Sequence, residues 1–148
     1  MRKNQGGHAM IELALCAGVM VSCLAGTFQF GYTFYVYNQL VTAVGNGGRY
    51  GAMRTYRGAD LEKGRAAIQN MVVYGDARPT ELMPVVTGLR PDQVEVEWVK
   101  DDKGVPTAVH VAIRNYPVNA VFKTIFLDGR PGVEFPFVGR YAPAEREP

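Results

Sequence analysis

The chain contains very few of the side chains on which most enzyme chemistry depends. Its only serine is Ser22, its two cysteines are Cys16 and Cys23, and its two histidines are His8 and His110. Beyond residue 23 there is therefore no Ser–His or Cys–His nucleophilic pair, and one histidine is too few for a zinc site built on His and Cys. We expect a protein that is not an enzyme, that binds no metal and that needs no cofactor.

Neither sign of charge dominates the sequence. Its 148 residues include 16 Lys and Arg against 14 Asp and Glu, which gives a formal net charge of +2. A nucleic-acid-binding protein usually concentrates basic residues on one face or in a tail, whereas residues 101–148 carry charges of both signs. We therefore expect no nucleic-acid partner. The length suits one modest domain together with one membrane segment.

A long stretch without charge separates Glu12 from Arg49, and its most apolar part is residues 13–28. With its flanks, this part reaches the ~20 residues that a helix needs to span a bilayer. Arg2 and Lys3 precede it, so the positive-inside rule predicts a cytoplasmic N-terminus and an exported C-terminal part. The pattern continues without a small-residue cleavage site, which favours a permanent anchor over a secretory signal peptide. Aromatic residues crowd its far end, as in an interfacial belt: Phe28, Phe30, Tyr32, Phe34, Tyr35 and Tyr37.

Both cysteines lie inside this apolar stretch. In one helix, the seven residues between Cys16 and Cys23 correspond to about 10 Å, too far for a disulfide between them. We expect them to be small apolar packing residues, although a bridge between neighbouring subunits stays open.

Glu12 places a carboxylate at the edge of the apolar helix, which is costly unless the charge has a partner or reaches water. If the chain is cut after Gly7, His8 becomes the N-terminus and Glu12 the fifth residue. This arrangement is similar to a type IV prepilin signature and predicts cleavage by a prepilin peptidase. Glu12 would then pair with the new α-amino group of a neighbouring subunit and set the subunit register. The alternative is a residue at headgroup depth, exposed to water.

Small residues recur at every fourth position of the same segment. They are Ala14, Gly18, Ser22 and Gly26. Such a pattern forms a groove along one helix face and predicts close helix packing, although Gly and Ala are also common in any membrane helix.

Three segments, GGHAMIELAL, QFGYTFYVYNQLVTAV and GGRYGA, together resemble the TadE-type pseudopilins of tight-adherence (Flp, type IVb) pilus systems. The later AIQNMVVYGDARP and GLRPDQVEVEW are similar to that family's helix end and first strand, so the resemblance covers most of the chain. The elements that carry it are Gly7, Glu12, Phe30-Gly31, Tyr35 to Asn38, and Arg49 to Ala52.

The resemblance implies a structural minor pilin. Its expected partners are other pilin-like subunits, the pilus assembly machinery, the prepilin peptidase and the membrane. Its expected place is the bacterial inner membrane, with the N-terminus cytoplasmic and the C-terminal domain periplasmic, or the pilus itself. Two alternatives remain: a subunit of another export system such as type II secretion, and an anchored periplasmic binding protein.

The sequence departs from this family at two places. The family often has Glu-Phe where this chain has Glu12-Leu13, and it keeps good helix formers where this chain has Gly45, Gly47 and Gly48. Because each helical glycine costs about 1 kcal/mol relative to alanine, we expect a hinge here.

The predicted fold class is α+β, with a long N-terminal transmembrane helix, a shorter second helix and a three-stranded antiparallel sheet. The predicted divisions are a leader over 1–7, the membrane and pilin-like helix over 8–53, and the exported domain over 54–148. Asp60 is expected to cap the second helix, which should run to about Tyr74 and stop at Gly75.

Alternating apolar residues predict strands over 94–99, 109–114 and 133–141, with the first two joined as a hairpin. Pro136 cannot donate to a ladder, so the third strand should lie at an edge or carry a bulge. Between the last two strands, apolar residues 118–127 are expected to form a short helical turn packed on the core. A patch for docking a partner is the alternative.

Overall fold

The structure, a computed structural model, describes residues 6–57, 61–80, 83–119 and 123–142. It has the predicted α+β class, with two helices and a three-stranded antiparallel sheet. The helices and strands, in chain order, are α1 (Gly6–Met53), β1 (Tyr56–Arg57), α2 (Leu61–Tyr74), β2 (Val94–Lys100), β3 (Pro106–Ile113), β4 (Tyr116–Asn119), β5 (Thr124–Leu127), β6 (Gly132–Pro136) and β7 (Tyr141–Ala142).

Helix α1 dominates the molecule. Its 48 residues correspond to a length of about 72 Å. No residue between Gly7 and Tyr35 is buried, whereas Val36, Leu40 and Val44 enter the core. The second half of α1 packs against α2, β3 and β6. One continuous helix therefore carries an unpacked half and a packed half.

The expected hinge at Gly45, Gly47 and Gly48 is wrong, because α1 passes through all three glycines without a break. The reason is close packing. A Cβ placed on Gly47 would collide with Val72 of α2, and one placed on Gly48 would lie 2.7 Å from Phe135 of β6. Gly47 and Gly48 let two neighbouring elements approach the helix, and the packing offsets their low helix propensity, whereas a Cβ on Gly45 would meet nothing within 4 Å.

The sheet has the order β2-β3-β6, with antiparallel pairing throughout. Val96 pairs with Val111, and Val111 in turn pairs with Val133, so the inward rows match across all three strands. The predicted hairpin of β2 and β3 is confirmed, as is the edge position of the strand that contains Pro136.

The third strand is shorter than predicted, since β6 ends at Pro136 rather than at Tyr141. Beyond the proline, the backbone leaves the sheet edge for the end of α1. The Phe137 amide still donates to the carbonyl of Thr107 at 2.8 Å, but the Val138 amide donates to the carbonyl of Ala52 at 3.0 Å. The last residues of the predicted strand pair elsewhere, as β7 beside β1.

Helix α2 covers one face of the core and ends as predicted. Ile68 and Val72 are fully buried. Gly75 has a φ of +72°, and its amide donates to the carbonyl of Met71 at 3.1 Å, which ends the helix in the left-handed conformation that glycine tolerates best. The expected cap, Asp60, lies outside the described residues.

The described residues of the apolar stretch 118–127 do not form the expected helical turn, and residues 120–122 of that stretch lie outside the described residues. Strands β4 and β5 pair as an antiparallel hairpin, with Tyr116 opposite Leu127 and Asn119 opposite Thr124. Pro117 and the run of β-branched and aromatic residues in β5 favour extended backbone over helix. Val118 is buried in this hairpin, but Phe126 is 62% exposed. Only part of the stretch therefore packs on the core.

Candidate functional site

The first half of α1 is the most unusual surface of the described chain. Its most apolar 18-residue window has a mean hydropathy of 2.0 and no residue buried against the rest of the protein, so this helix is long and apolar enough to cross a membrane. The large apolar side chains that it exposes are Met10, Ile11, Leu13, Leu15, Val19, Met20, Val21, Leu24, Phe28, Phe30 and Phe34. An exposed apolar surface of this length in a monomer indicates a surface that lipid or other helices cover.

Polar side chains within this segment bond to their own helix. The Ser22 hydroxyl donates to the carbonyl of Gly18 at 2.9 Å, and the Thr27 hydroxyl donates to the carbonyl of Cys23 at 3.0 Å. Each bond removes a donor that would otherwise be unsatisfied in hydrocarbon. The segment therefore presents an almost wholly apolar surface despite its hydroxyl groups.

The structure places the predicted processing residues at the start of α1. Gly7 and His8 are the second and third residues of the helix, and both are exposed. Glu12 follows one turn later, also exposed, with no ion pair to any residue in the described part of the chain. The geometry of the single chain thus leaves the Glu12 carboxylate available to a partner outside it.

The predicted packing residues lie along one line of α1, because they are spaced four apart. A Cβ placed on Gly18 or Gly26 would meet nothing within 4 Å. Ala14 and Ser22 are exposed as well. The groove is therefore present and empty in the single chain, with room for a neighbouring helix.

The two cysteines of α1 are both free and exposed. Cys16 and Cys23 lie within the apolar half, so they would face lipid or a neighbouring helix once that half is covered. Their predicted role as small apolar packing residues fits this location and stays a prediction.

The other potential chemistry on the described surface is sparse. No group of three or more His, Cys, Asp or Glu residues that could hold a metal ion occurs among the described residues. His110 is half-buried in β3 and borders an open groove of about 470 Å³ together with Tyr37 and Arg130. The groove has no Ser, Cys or carboxylate in its lining, so it offers His110 no partner for nucleophilic catalysis.

Sequence reasoning missed three features of the structure. The packing role of Gly47 and Gly48 could not be predicted from the sequence, because it depends on Val72 and Phe135, which are distant in sequence. The position of the β4–β5 hairpin beside Tyr32 and Val36 could not be predicted either, because these residues are also distant in sequence. Phe126 belongs to an apolar stretch that the sequence shows, but its exposure to solvent could not be predicted from the sequence.

This architecture defines a class: proteins with one N-terminal helix able to cross a membrane, whose second half forms part of a small α+β domain. Residues 7–49 match the model of a family described as TadE-like protein. The matched stretch covers less than a third of the chain and contains Gly7, Glu12 and the whole small-residue groove. The resemblance predicted from the sequence is therefore confirmed for most of α1. No curated protein and no solved structure matches the chain.

Proposed function

We propose that the chain is a structural, pilin-like subunit that helps to assemble a tight-adherence pilus, and that it is not an enzyme. The observation that carries the proposal is the two-part helix α1, exposed and apolar over residues 7–35 and packed into the domain over residues 36–52. The TadE-like match over residues 7–49 supports the assignment to tight-adherence systems.

In this proposal, the apolar half of α1 lies in the bacterial inner membrane. Arg2 and Lys3 keep the N-terminus cytoplasmic, and the α+β domain stands in the periplasm. A prepilin peptidase cuts between Gly7 and His8. The subunit then joins the pilus or primes its assembly with other pilin-like subunits.

Glu12 provides the register between subunits. After cleavage, the α-amino group of His8 carries a positive charge at the membrane edge of a helix, and the Glu12 carboxylate carries a negative one. Bundling of helices along the Gly18 and Gly26 groove removes water from both groups, so each favours the opposite charge of a neighbouring subunit. Breaking such a pair by removing one partner costs about 3–5 kcal/mol when the other stays buried.

The alternatives share the anchor but differ in partners. A type II secretion pseudopilin would use the same cleavage and the same glutamate, and an anchored periplasmic binding protein would need neither. The TadE-like match favours the pilus over both. Leader processing separates the binding protein from the other two.

The test compares wild type, Glu12→Ala, Glu12→Gln and the control Glu97→Gln, which changes an exposed carboxylate of β2. All four proteins should reach the membrane, since removing a charge from α1 helps insertion. Both Glu12 variants should fail to co-purify with pilin-like partners and should give no pili, whereas Glu97→Gln should behave as wild type. Normal pili and normal co-purification in both Glu12 variants would contradict the proposal.

A further inference from the structure

From β3 to β4, the chain passes along the side of α1 from the C-terminal end of the helix toward its apolar half. Near the end of α1, a Cβ on Gly51 would lie 3.4 Å from Val109 of β3. Further along, Val118 and Asn119 of β4 border a small cavity of about 200 Å³ together with Tyr32 and Val36 of α1. From residue 51 to residues 32–36 the helix descends about 22–28 Å. The β4–β5 hairpin is therefore at the end of the domain nearest the apolar segment.

A second segment, residues 85–88, lies beside the same part of α1. Thr87 and Gly88 line the cavity beside Tyr32, and the Tyr116 hydroxyl donates to the Thr87 carbonyl at 2.8 Å. Burial, and after it the nearby Tyr32, raise the pKa of the Tyr116 phenol, as expected of a tightly packed contact. The hydrogen bond ties the hairpin to this segment, so the hairpin is held in place beside α1.

Both segments expose apolar side chains at this end of the domain. Ile125 and Phe126 of β5 are 41% and 62% exposed, and Val85, which lines a groove together with Tyr35, is 48% exposed. Among the described residues of the hairpin the only charged side chain is Lys123. Exposed aromatic and aliphatic groups beside a lysine are the composition that proteins place at a membrane interface.

The height of the hairpin matches the edge of the bilayer. Twenty residues separate Glu12 from Tyr32, which corresponds to about 30 Å of helix, the thickness of a hydrocarbon core. If Glu12 marks one boundary, Tyr32 marks the other, and Tyr32 borders the same cavity as β4. Because α1 continues without a break from its apolar half into its packed half, the domain keeps this height along the helix.

We infer that the β4–β5 hairpin is a second membrane contact, which inserts Ile125 and Phe126 into the headgroup region of the phospholipid bilayer that α1 crosses. The inference rests on the proposed function, since it requires the apolar half of α1 to span a membrane. A lipid surface is the chosen occupant because the exposed residues continue the apolar surface of α1 at its edge. The contact limits how far α1 and its packed domain tilt against the bilayer, which the helix alone does not.

The test uses tryptophan fluorescence of the full chain in vesicles of phosphatidylethanolamine and phosphatidylglycerol, with or without brominated acyl chains. The background is Trp98→Phe, which removes the single native tryptophan but keeps an aromatic ring against Tyr56 and Phe137. Phe126→Trp and Ile125→Trp are two separate probes of the hairpin. Leu24→Trp probes the middle of the apolar segment, and Val138→Trp, at a site 71% exposed beyond the far end of α1, is the matched aqueous control.

We expect brominated lipid to quench Leu24→Trp strongly, to quench both hairpin probes clearly, and to leave Val138→Trp unchanged. Quenching at Leu24→Trp with hairpin probes as bright as Val138→Trp would overturn the hairpin inference and leave the anchor standing. If neither acrylamide nor brominated lipid quenches the hairpin probes, another protein covers this surface. That result would also overturn the hairpin inference. An unquenched Leu24→Trp would instead overturn the anchor, and with it the proposed function.

Discussion

The two halves of α1 have the same backbone geometry and similar small residues, yet their glycines, Gly45 excepted, have opposite surroundings. In the first half, a Cβ on Gly18 or Gly26 would meet open space. In the second half, a Cβ on Gly47, Gly48 or Gly51 would press into side chains of α2, β3 or β6. The second half has its packing partners within the chain, and the first half presents the same kind of groove without them.

This contrast shows that small residues in a helix predict the close approach of another element but do not identify that element. For the second half, the partner is the chain's own domain. For the first half, we propose that lipid and neighbouring subunits are the partners, because an apolar helix this long is stable only when it is covered.

The largest expected effect comes from a side chain that is buried in the second half. Leu40 is fully buried, so Leu40→Ala should lower the free energy of unfolding of the domain by about 2–5 kcal/mol. Leu24, which is 72% exposed in the first half, is the matched control, and Leu24→Ala should leave domain unfolding unchanged. Denaturant titration of the full chain in detergent micelles, followed by Trp98 fluorescence, measures both. Equal losses in the two variants would contradict the division of α1.

An intermediate effect is expected at the glycine cluster itself. Gly47→Ala forces its methyl group against the fully buried Val72, and overpacking costs about 1–3 kcal/mol against about 1 kcal/mol gained in helix propensity. Gly45 has nothing within 4 Å of a Cβ, so Gly45→Ala should stabilise by up to about 1 kcal/mol. The same titration compares them. A stabilising Gly47→Ala would restore the hinge as the better explanation of these glycines.

The smallest effect on domain stability is expected in the empty groove. Gly18→Leu and Gly26→Leu should leave the unfolding of the domain unchanged, because neither site contacts it. The same changes should weaken association with pilin-like partners, since leucine fills the groove through which helices approach. Co-purification from membranes measures the association. Wild-type association in both variants would mean that these glycines are only part of ordinary membrane-helix composition.

The parts of the fold that the sequence predicted are those set by local pattern. Alternation placed Val109, Val111 and Ile113 on the buried face of β3, and Gly75 ended α2 because its left-handed conformation is a local property. The site residues Gly7, His8 and Glu12 were also predicted from their spacing, and their roles stay predictions. In each case the deciding interactions lie within a few residues of one another.

The parts that escaped prediction depend on contacts between distant residues. Gly47 looked like a hinge because its partner, Val72, is not adjacent in sequence. The pairing of β1 with β7 involves only two residues on each strand, too few to leave a pattern. The hairpin of β4 and β5 was mistaken for a helical turn, because a short apolar run is ambiguous between helix and strand.

We propose that residues 7–35 of α1 lie in a membrane while the domain stands in the periplasm. The native cysteines allow a direct test, since Cys16 and Cys23 are free and lie in the claimed segment. Intact cells are treated with a thiol reagent that passes the outer membrane but not the inner one. The control places one cysteine in the domain, as Met53→Cys at a site 71% exposed, with both native cysteines changed to alanine. We expect rapid labelling of the control and no labelling of the wild type until detergent dissolves the membrane. Wild-type labelling in intact cells as fast as that of the control would contradict it.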